Sequence, residues 1–285
     1  MLNETKKIKI VLAGTPDFSV PIFEEVINNF EVLAIISQPD RPKNRGYSLE
    51  ETPTKKLAKK YKIKIYQPNK ISEIYQELSN MEFDFFLTAA FGQYIPNNVL
   101  ELPKIASLNI HGSLLPKYRG AAPIQYSLLN GDTETGISLI YMTKIMDAGN
   151  ILKIAKLPIN KEDTSTTMFS KISNLATKNI TNWLYDIYNN NFDEIIQDET
   201  KVMLSPKLLK EDSEIKNSDS VEFNFNKIRA FSENPGAYIT KNNKRIKIFY
   251  ATKSLIKNAP IIDCSDGFLY ATDYQFESKK RITIK

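Results

Sequence analysis

The chain has 285 residues but only one cysteine, Cys264, and one histidine, His111. A lone thiol cannot close a disulfide within the chain, and one Cys with one His falls short of the four ligands of a structural zinc site. Cysteine this scarce fits a reducing compartment. No run of about 18 apolar residues occurs, so no membrane-spanning helix is expected. The opening Met1-Leu2-Asn3-Glu4-Thr5-Lys6-Lys7 leads into an apolar strand without the h-region or cleavage site of a signal peptide. A cytoplasmic protein with no membrane partner is therefore expected. The first strand is followed by Gly14-Thr15-Pro16-Asp17, which lacks the G-x-G-x-x-G pattern and speaks against a dinucleotide site.

Charge of either sign is in balance over most of the chain. Residues 1–205 hold 23 Lys and Arg against 23 Asp and Glu, whereas residues 206–285 hold 15 against 10, so the whole net charge of +5 lies in the last part. A basic appendage on a neutral body implies a polyanionic partner such as RNA. A solvated lysine-rich face is the alternative that charge alone leaves open.

What is present is a regular alternation of apolar runs and amphipathic stretches. Ile8–Ala13 reads as a buried strand, with Thr15 as the expected N-cap and Pro16 at the first position of the helix that carries Val20, Phe23, Ile27 and Phe30. Glu31–Ser37 is a second strand, residues 54–62 a helix, Ile63–Tyr66 a short strand, and a helix follows near 71–80. Phe83–Ala89, Ala106–Ile110 and Gly136–Met142 are further strands, and Thr164–Tyr188 is a long helix entered through Asp163 and closed by Asn189-Asn190-Asn191. Such βα alternation implies an α/β, doubly wound, mainly parallel sheet, with sites beyond the carboxyl ends of its strands. That rule singles out the segments starting at Gly14, Ala90, His111 and Thr143. Residues 206–285 instead show short alternating runs between Asn-, Asp- and Gly-bearing turns, which suggests a smaller, barrel-like β domain. The expected organisation is a catalytic domain over 1–189, a linker over 190–205 and a basic β-rich domain over 206–285.

The chemistry-bearing residues cluster in Asn109-Ile110-His111-Gly112-Ser113-Leu114-Leu115-Pro116. Asn109 and His111 stand two apart at a strand end, hence on one face. A carboxamide and an imidazole aimed together can both donate to one oxygen, the arrangement that stabilises an oxyanion. Asp147, in Met146-Asp147-Ala148-Gly149, would orient the imidazole if brought to it and could take part in moving a proton. Each element has an ordinary structural reading by itself; their coincidence is what points to a site.

These residues resemble the folate-dependent formyltransferases, and nearly the whole chain carries the likeness. The matching segments are AGTPDFSVP at 13–21, QPDRP at 38–42, AAFGQYIP at 89–96, LNIHGSLLPKYRGAAPIQ at 108–125, GDTETGISL at 131–139, MDAGNIL at 146–152, EDTS at 162–165 and RAFSENPGAY at 229–238. The Asn-x-His-x-Ser-Leu-Leu-Pro motif with a later Asp marks the superfamily. The QPDRP, RGAAPIQ and NPGAY segments favour the branch that formylates methionine charged on initiator tRNA.

The resemblance implies a Rossmann-like core with a smaller OB-like barrel, and catalysis by Asn109, His111 and Asp147. It implies a folate pocket at Ser113, Leu114, Leu115 and Pro116, completed by the backbone around Phe91, Gly92, Ile95 and residues 143–147. The donor would be 10-formyltetrahydrofolate, the acceptor the α-amine of initiator methionyl-tRNA, and no metal would be needed. A monomer is expected. Arg41, Lys43 and Arg45 would meet the tRNA from the 38–53 loop, and the basic C-terminal domain would bind tRNA as well. Where relatives carry consecutive lysines in that loop, this chain has Tyr47-Ser48-Leu49-Glu50-Glu51, and two acids there should weaken attraction to phosphates. Three rivals stand beside this reading: a formyltransferase acting on a sugar nucleotide or glycinamide ribonucleotide, an RNA-binding protein without catalysis, and a hydrolase releasing formate from the same folate. The basic C-terminal domain argues against the first and the intact trio against the second, while nothing in the trio separates the third.

Overall fold

A computed structural model describes residues 8–42, 49–241 and 244–284. Its core is a seven-stranded sheet built from β1 (Lys9–Gly14), β2 (Glu31–Ile36), β3 (Lys64–Tyr66), β4 (Phe85–Ala89), β5 (Ala106–His111), β6 (Glu134–Tyr141) and β7 (Ile151–Pro158), in the order β7-β6-β5-β4-β1-β2-β3. The strands from β3 to β5 pair in parallel, and β6 runs antiparallel to β5. In β1 and β4 nearly every side chain is buried, as expected of parallel strands covered on both faces. One covering layer joins Val11, Ala13, Ala34, Ile36 and Phe86 to Ile71, Ile74, Leu78, Phe83 and Val99. The chain goes from β1 outward through β2 and β3, then returns to lay β4 and β5 on the other side of β1. That order reversal opens a crevice beyond the carboxyl ends of β1 and β4.

Helix α1 (Ser19–Asn29) packs on this sheet, with Phe23 and Ser19 against the end of β1 at Gly14. Its start differs from the sequence expectation. Phe18 is the N-cap residue and makes no side-chain cap. Thr15, the expected cap, instead donates its hydroxyl to the Phe91 carbonyl at 3.2 Å and accepts from the Gln38 N–H at 3.2 Å. The crevice thus draws on Thr15 as a cross-link between loops, which outweighs its capping preference. Helix α2 (Pro53–Tyr61) does have a side-chain cap, since Thr52 accepts from the Lys55 N–H, and Pro53 sits at its first turn.

Packing divides the chain into two compact units, and the division is not a single cut. Residues 1–119, 136–156 and 171–203 form one unit; residues 120–135, 157–170 and 204–285 form the other. The second unit holds α3 (Pro123–Leu129), the first turns of α4 (Ser165–Tyr188), α5 (Val221–Phe231) and a five-stranded antiparallel sheet. The strands of that sheet are β8 (Ala237–Lys241), β9 (Lys244–Thr252), β10 (Ile261–Cys264), β11 (Gly267–Phe276) and β12 (Arg281–Thr283), in the order β8-β9-β11-β10 with β12 also on β11. Buried Arg229 on α5 explains why residues 157–170 belong here. Its guanidinium donates to the carbonyls of Asp163 and Asn160 and to Asn226 Oδ1, and the Ser165 and Thr166 hydroxyls reach the Ser232 carbonyl. Sequence composition gave no hint of these long-range anchors. Residues 190–205, expected as a linker, include Ile195, which exchanges two backbone hydrogen bonds with Ile151 at 2.9 Å each. Among the described residues no helix is long and apolar enough to cross a membrane.

Candidate active site

β5 lies between a parallel and an antiparallel neighbour, with Asn109 beside Thr88 of β4 and His111 beside Ser138 of β6. The fully buried Ser138 hydroxyl donates to the Ser113 carbonyl at 2.8 Å and accepts from the Leu115 N–H at 3.1 Å. It thereby fastens the turn that follows His111. The Ser113 hydroxyl closes the same turn on the Lys117 carbonyl at 2.6 Å. The chain returns so that the Tyr118 carbonyl meets His111 Nε2 at 2.8 Å. A carbonyl can only accept, so Nε2 carries a hydrogen and the other ring nitrogen, Nδ1, faces away from this bond.

Nδ1 lies 3.5 Å from Asp147 Oδ2, and Asn109 Nδ2 donates to Asp147 Oδ1 at 3.3 Å. All three expected residues therefore meet, with His111 and Asp147 side chains only 5% and 10% exposed. The Asn109 amide has a defined orientation. Its Nδ2 faces the carboxylate, and its Oδ1 accepts from the Thr88 hydroxyl at 2.7 Å. Both contacts to the carboxylate are long, which leaves Asn109 Nδ2 able to turn towards an oxygen bound beside it, and Nδ1 able to do the same when it too carries a proton.

Asp147 does not arrive as the strand-end rule supposes. Because β6 is antiparallel to β5, the loop starting at Thr143 leaves beside Ser107, at the far end of β5 from His111. The Tyr141 N–H donates to the Asn150 carbonyl at 3.1 Å, so residues 142–149 form a hairpin loop. Asp147 completes the trio from this loop with a left-handed backbone, φ of 55°. Gly149 lies so close to the strand that a Cβ there would stand 1.9 Å from the Tyr141 carbonyl oxygen. Gln197 ties the loop down with hydrogen bonds to the Asp147 and Gly149 carbonyls at 2.8 and 2.7 Å.

The other expected positions are distributed as follows. Phe91 and Ile95 are buried in the core layer, and the Phe91 and Gly92 carbonyls accept from Gln38 Nε2 at 3.0 Å each. Leu115 packs with Ile140 and Ile151, while Leu114 and Pro116 are half-buried. Arg41 is exposed and donates to Gln38 Oε1 at 2.6 Å. Lys43 and Arg45 lie outside the described residues. The acids expected to repel phosphates are already paired: Glu50 with Lys56 at 3.9 Å, and Glu51 with Lys59 and with Lys55 at 3.6 Å. Hydrogen bonding from Lys59 holds the Glu51 carboxyl below its ordinary value. Thr88, Arg119 and Gln197 were not singled out from the sequence. Thr88 adjoins a marked strand end and Arg119 lies in the RGAAPIQ segment, but Gln197 carries no local signal.

Comparison with known proteins follows the same line. The formyl transferase family matches residues 6–184, and the formyl transferase C-terminal domain matches residues 207–285. A methionyl-tRNA formyltransferase from Mycoplasmopsis pulmonis is 63% identical over 278 residues, covering 97% of this chain and 96% of that protein. One from Malacoplasma penetrans is 38% identical over 297 residues, covering 99% and 93%. Among solved structures, the N-formyltransferase from Helicobacter canadensis in complex with folinic acid and dTDP-3-aminofucose superposes with a TM-score of 0.71 at 22% identity, over 95% of this chain and all of that one. With the two family patterns spanning both parts of the chain and relatives aligned along almost their full length, this chain belongs to the formyltransferase family.

Proposed function

We propose that the chain transfers the formyl group of 10-formyltetrahydrofolate to the α-amine of methionine on initiator tRNA. The observation that carries this reading is the convergence of Asn109 Nδ2 and His111 Nδ1 on the Asp147 carboxylate, in a chain 63% identical to a methionyl-tRNA formyltransferase over nearly its whole length. The neutral amine attacks the formyl carbon, and the carbonyl oxygen becomes an oxyanion. Asn109 Nδ2 and, in the imidazolium form that carries a hydrogen on each ring nitrogen, His111 Nδ1–H turn from Asp147 to that oxygen, each such donor contributing about 2.7–4 kcal/mol to the transition state. Asp147, released from those donors, takes a proton from the attacking nitrogen. The tetrahedral adduct then breaks its bond to N10 of the folate, and the proton passes from Asp147 to that leaving nitrogen. The products are formyl-methionyl-tRNA and tetrahydrofolate.

In this reading the folate ring is met by the turn Ser113–Pro116 and by backbone around Phe91, Gly92, Ile95 and residues 143–147, while the Phe91 and Ile95 side chains serve the core. Arg41, Lys43 and Arg45 would approach the tRNA end. The excess of Lys and Arg in residues 206–285 would hold its phosphates. The deciding assay supplies formylated folate with charged initiator tRNA, charged elongator tRNA, free methionine and a dTDP-amino sugar. Formylation of initiator methionyl-tRNA well above the other acceptors is expected. Equal or preferred formylation of the amino sugar would move the chain to the sugar-modifying branch, and formate release without an acceptor would make it a hydrolase.

A further inference from the structure

The proposed chemistry needs an imidazole fixed on both sides, and one side chain outside the trio is built to do that. Gln197 is 6% exposed, and its amide is engaged at both ends. Nε2 donates both hydrogens, to the Asp147 carbonyl at 2.8 Å and the Gly149 carbonyl at 2.7 Å, while Oε1 accepts from Arg119 Nε at 2.9 Å. Arg119 is 7% exposed, and its two terminal nitrogens meet the Glu199 carboxylate at 3.1 and 2.8 Å. Its backbone N–H donates to the Met203 carbonyl at 2.9 Å. Arg119 directly follows Tyr118, whose carbonyl holds His111 Nε2.

One amide therefore bridges the two segments that flank the imidazole, the Asp147 loop on the Nδ1 side and the Tyr118-Arg119 segment on the Nε2 side. The loop requires such a clamp. Ile145 and Met146 are 69% and 66% exposed, and Asp147 itself holds a left-handed backbone that a non-glycine residue keeps only when its surroundings impose it. From this geometry, and resting on the function proposed above, we propose that Gln197 is a positioning residue that sets the Asp147 carboxylate against His111 Nδ1 through the Asp147 and Gly149 carbonyls.

The test uses Gln197→Glu, which keeps the shape and the acceptor for Arg119 but replaces both donors with a carboxylate oxygen facing two carbonyls. Gln197→Met serves as a second variant that removes the polar contacts without adding charge. Because His111 is the only histidine, 15N-histidine labelling yields one imidazole, whose two nitrogens report the two sides separately. The expected result is a folded variant with kcat about 30–100-fold lower, since a displacement near 1 Å carries a loss of about that size. KM for the tRNA should stay within about threefold, while KM for the folate should rise with the displaced 143–147 backbone that completes the expected folate pocket. In Gln197→Glu, which keeps the acceptor for Arg119, the Nδ1 resonance should move while the Nε2–H resonance, set by Tyr118, stays near its wild-type position; in Gln197→Met the Nδ1 resonance should move as well.

Unchanged kcat, or loss of kcat with an unmoved Nδ1 resonance, overturns the proposal. So does failure of both variants to fold, which would make Gln197 a structural residue only. If the wild-type enzyme does not formylate charged tRNA, the functional reading fails, and the imidazole spectrum still decides whether Gln197 positions the loop.

Discussion

Replacing Thr88 by valine removes one hydroxyl and little else, and the structure gives its expected effect. Thr88 is 2% exposed, and its Oγ1 donates to Asn109 Oδ1 at 2.7 Å. The carboxylate of Asp147 can only accept, so it decides which end of the Asn109 amide faces it; Thr88 holds the amide plane from the other end. Valine keeps the β-branched shape that suits the strand and leaves Asn109 Oδ1 without that donor. Losing a neutral hydrogen bond of this kind costs about 1–3 kcal/mol when the acceptor stays buried and unpaired. For a protein of this size that corresponds to a fall in Tm of about 2–6 °C.

The kinetic effect has an upper bound. Deleting an oxyanion donor outright costs about 2.7–4 kcal/mol, and Thr88→Val keeps the donor while loosening its aim. About a third of that, near 1–1.4 kcal/mol, is a fall in kcat of about five- to tenfold. Single-turnover formylation of charged tRNA at saturating folate measures it, with KM expected to stay within about twofold. Thr88→Ser restores the hydroxyl and should return kcat to near wild type. The reasoning is refuted if Thr88→Val turns over at the wild-type rate, or if Thr88→Ser is as slow as Thr88→Val.

Three further outcomes are expected. His111→Ala should lower kcat by about 10³-fold or more, since it removes both an oxyanion donor and the partner of Asp147, while tRNA binding measured by filter retention stays nearly intact; strong residual turnover would take His111 out of the mechanism. Gly149→Ala would set its Cβ 1.9 Å from a backbone oxygen that cannot swing away. It should destabilise the fold by about 3 kcal/mol, seen as a lowered urea midpoint, and an unchanged midpoint would contradict the close packing. The Asp198 carboxyl is held down to about 2 by the Thr200 hydroxyl, then by Lys201 and the Thr200 N–H. Because its folded value lies below its ordinary 3.8, its contribution to stability is full above about pH 4 and fades as pH falls towards 2. Asp198→Asn should therefore unfold more easily than wild type at pH 5, and the gap should narrow between pH 4 and 2. A gap that is constant across that window would show that the carboxylate's charge plays no part.

The sheet was legible because its signal is local. Runs such as Ile10–Ala13 and Phe85–Leu87 are apolar on both faces, as strands in the middle of a covered parallel sheet are. Asn109 and His111 were legible for a similar reason, since two residues apart on a strand is one face whatever the surrounding fold. Thr15 was misread because capping preference is weak beside the tertiary contacts it makes to Phe91 and Gln38. The split of residues 120–135 and 157–170 from their sequence neighbours was hidden for another reason. For residues 157–170 it depends on Arg229, tens of residues away, finding the Asn160 and Asp163 carbonyls, and for residues 120–135 on the packing of α3 against α5. A long-range hydrogen bond leaves no periodicity behind.

The single histidine shows where local reading stops. Its position on the strand was plain, but which nitrogen would face the reaction was not, because that depends on a carbonyl seven residues later. Once the Ser113–Lys117 and Ser138 bonds close the turn, Tyr118 occupies Nε2 and only Nδ1 remains for chemistry. Asp147 can approach Nδ1 only from a loop that starts at the wrong end of β5, and it does so with a left-handed backbone. A left-handed aspartate in an eight-residue hairpin loop does not hold itself there. The restraint comes from Gln197, in a stretch that sequence composition marks as a linker, so the precision of the candidate site depends on the residue least visible from the motif that reveals it.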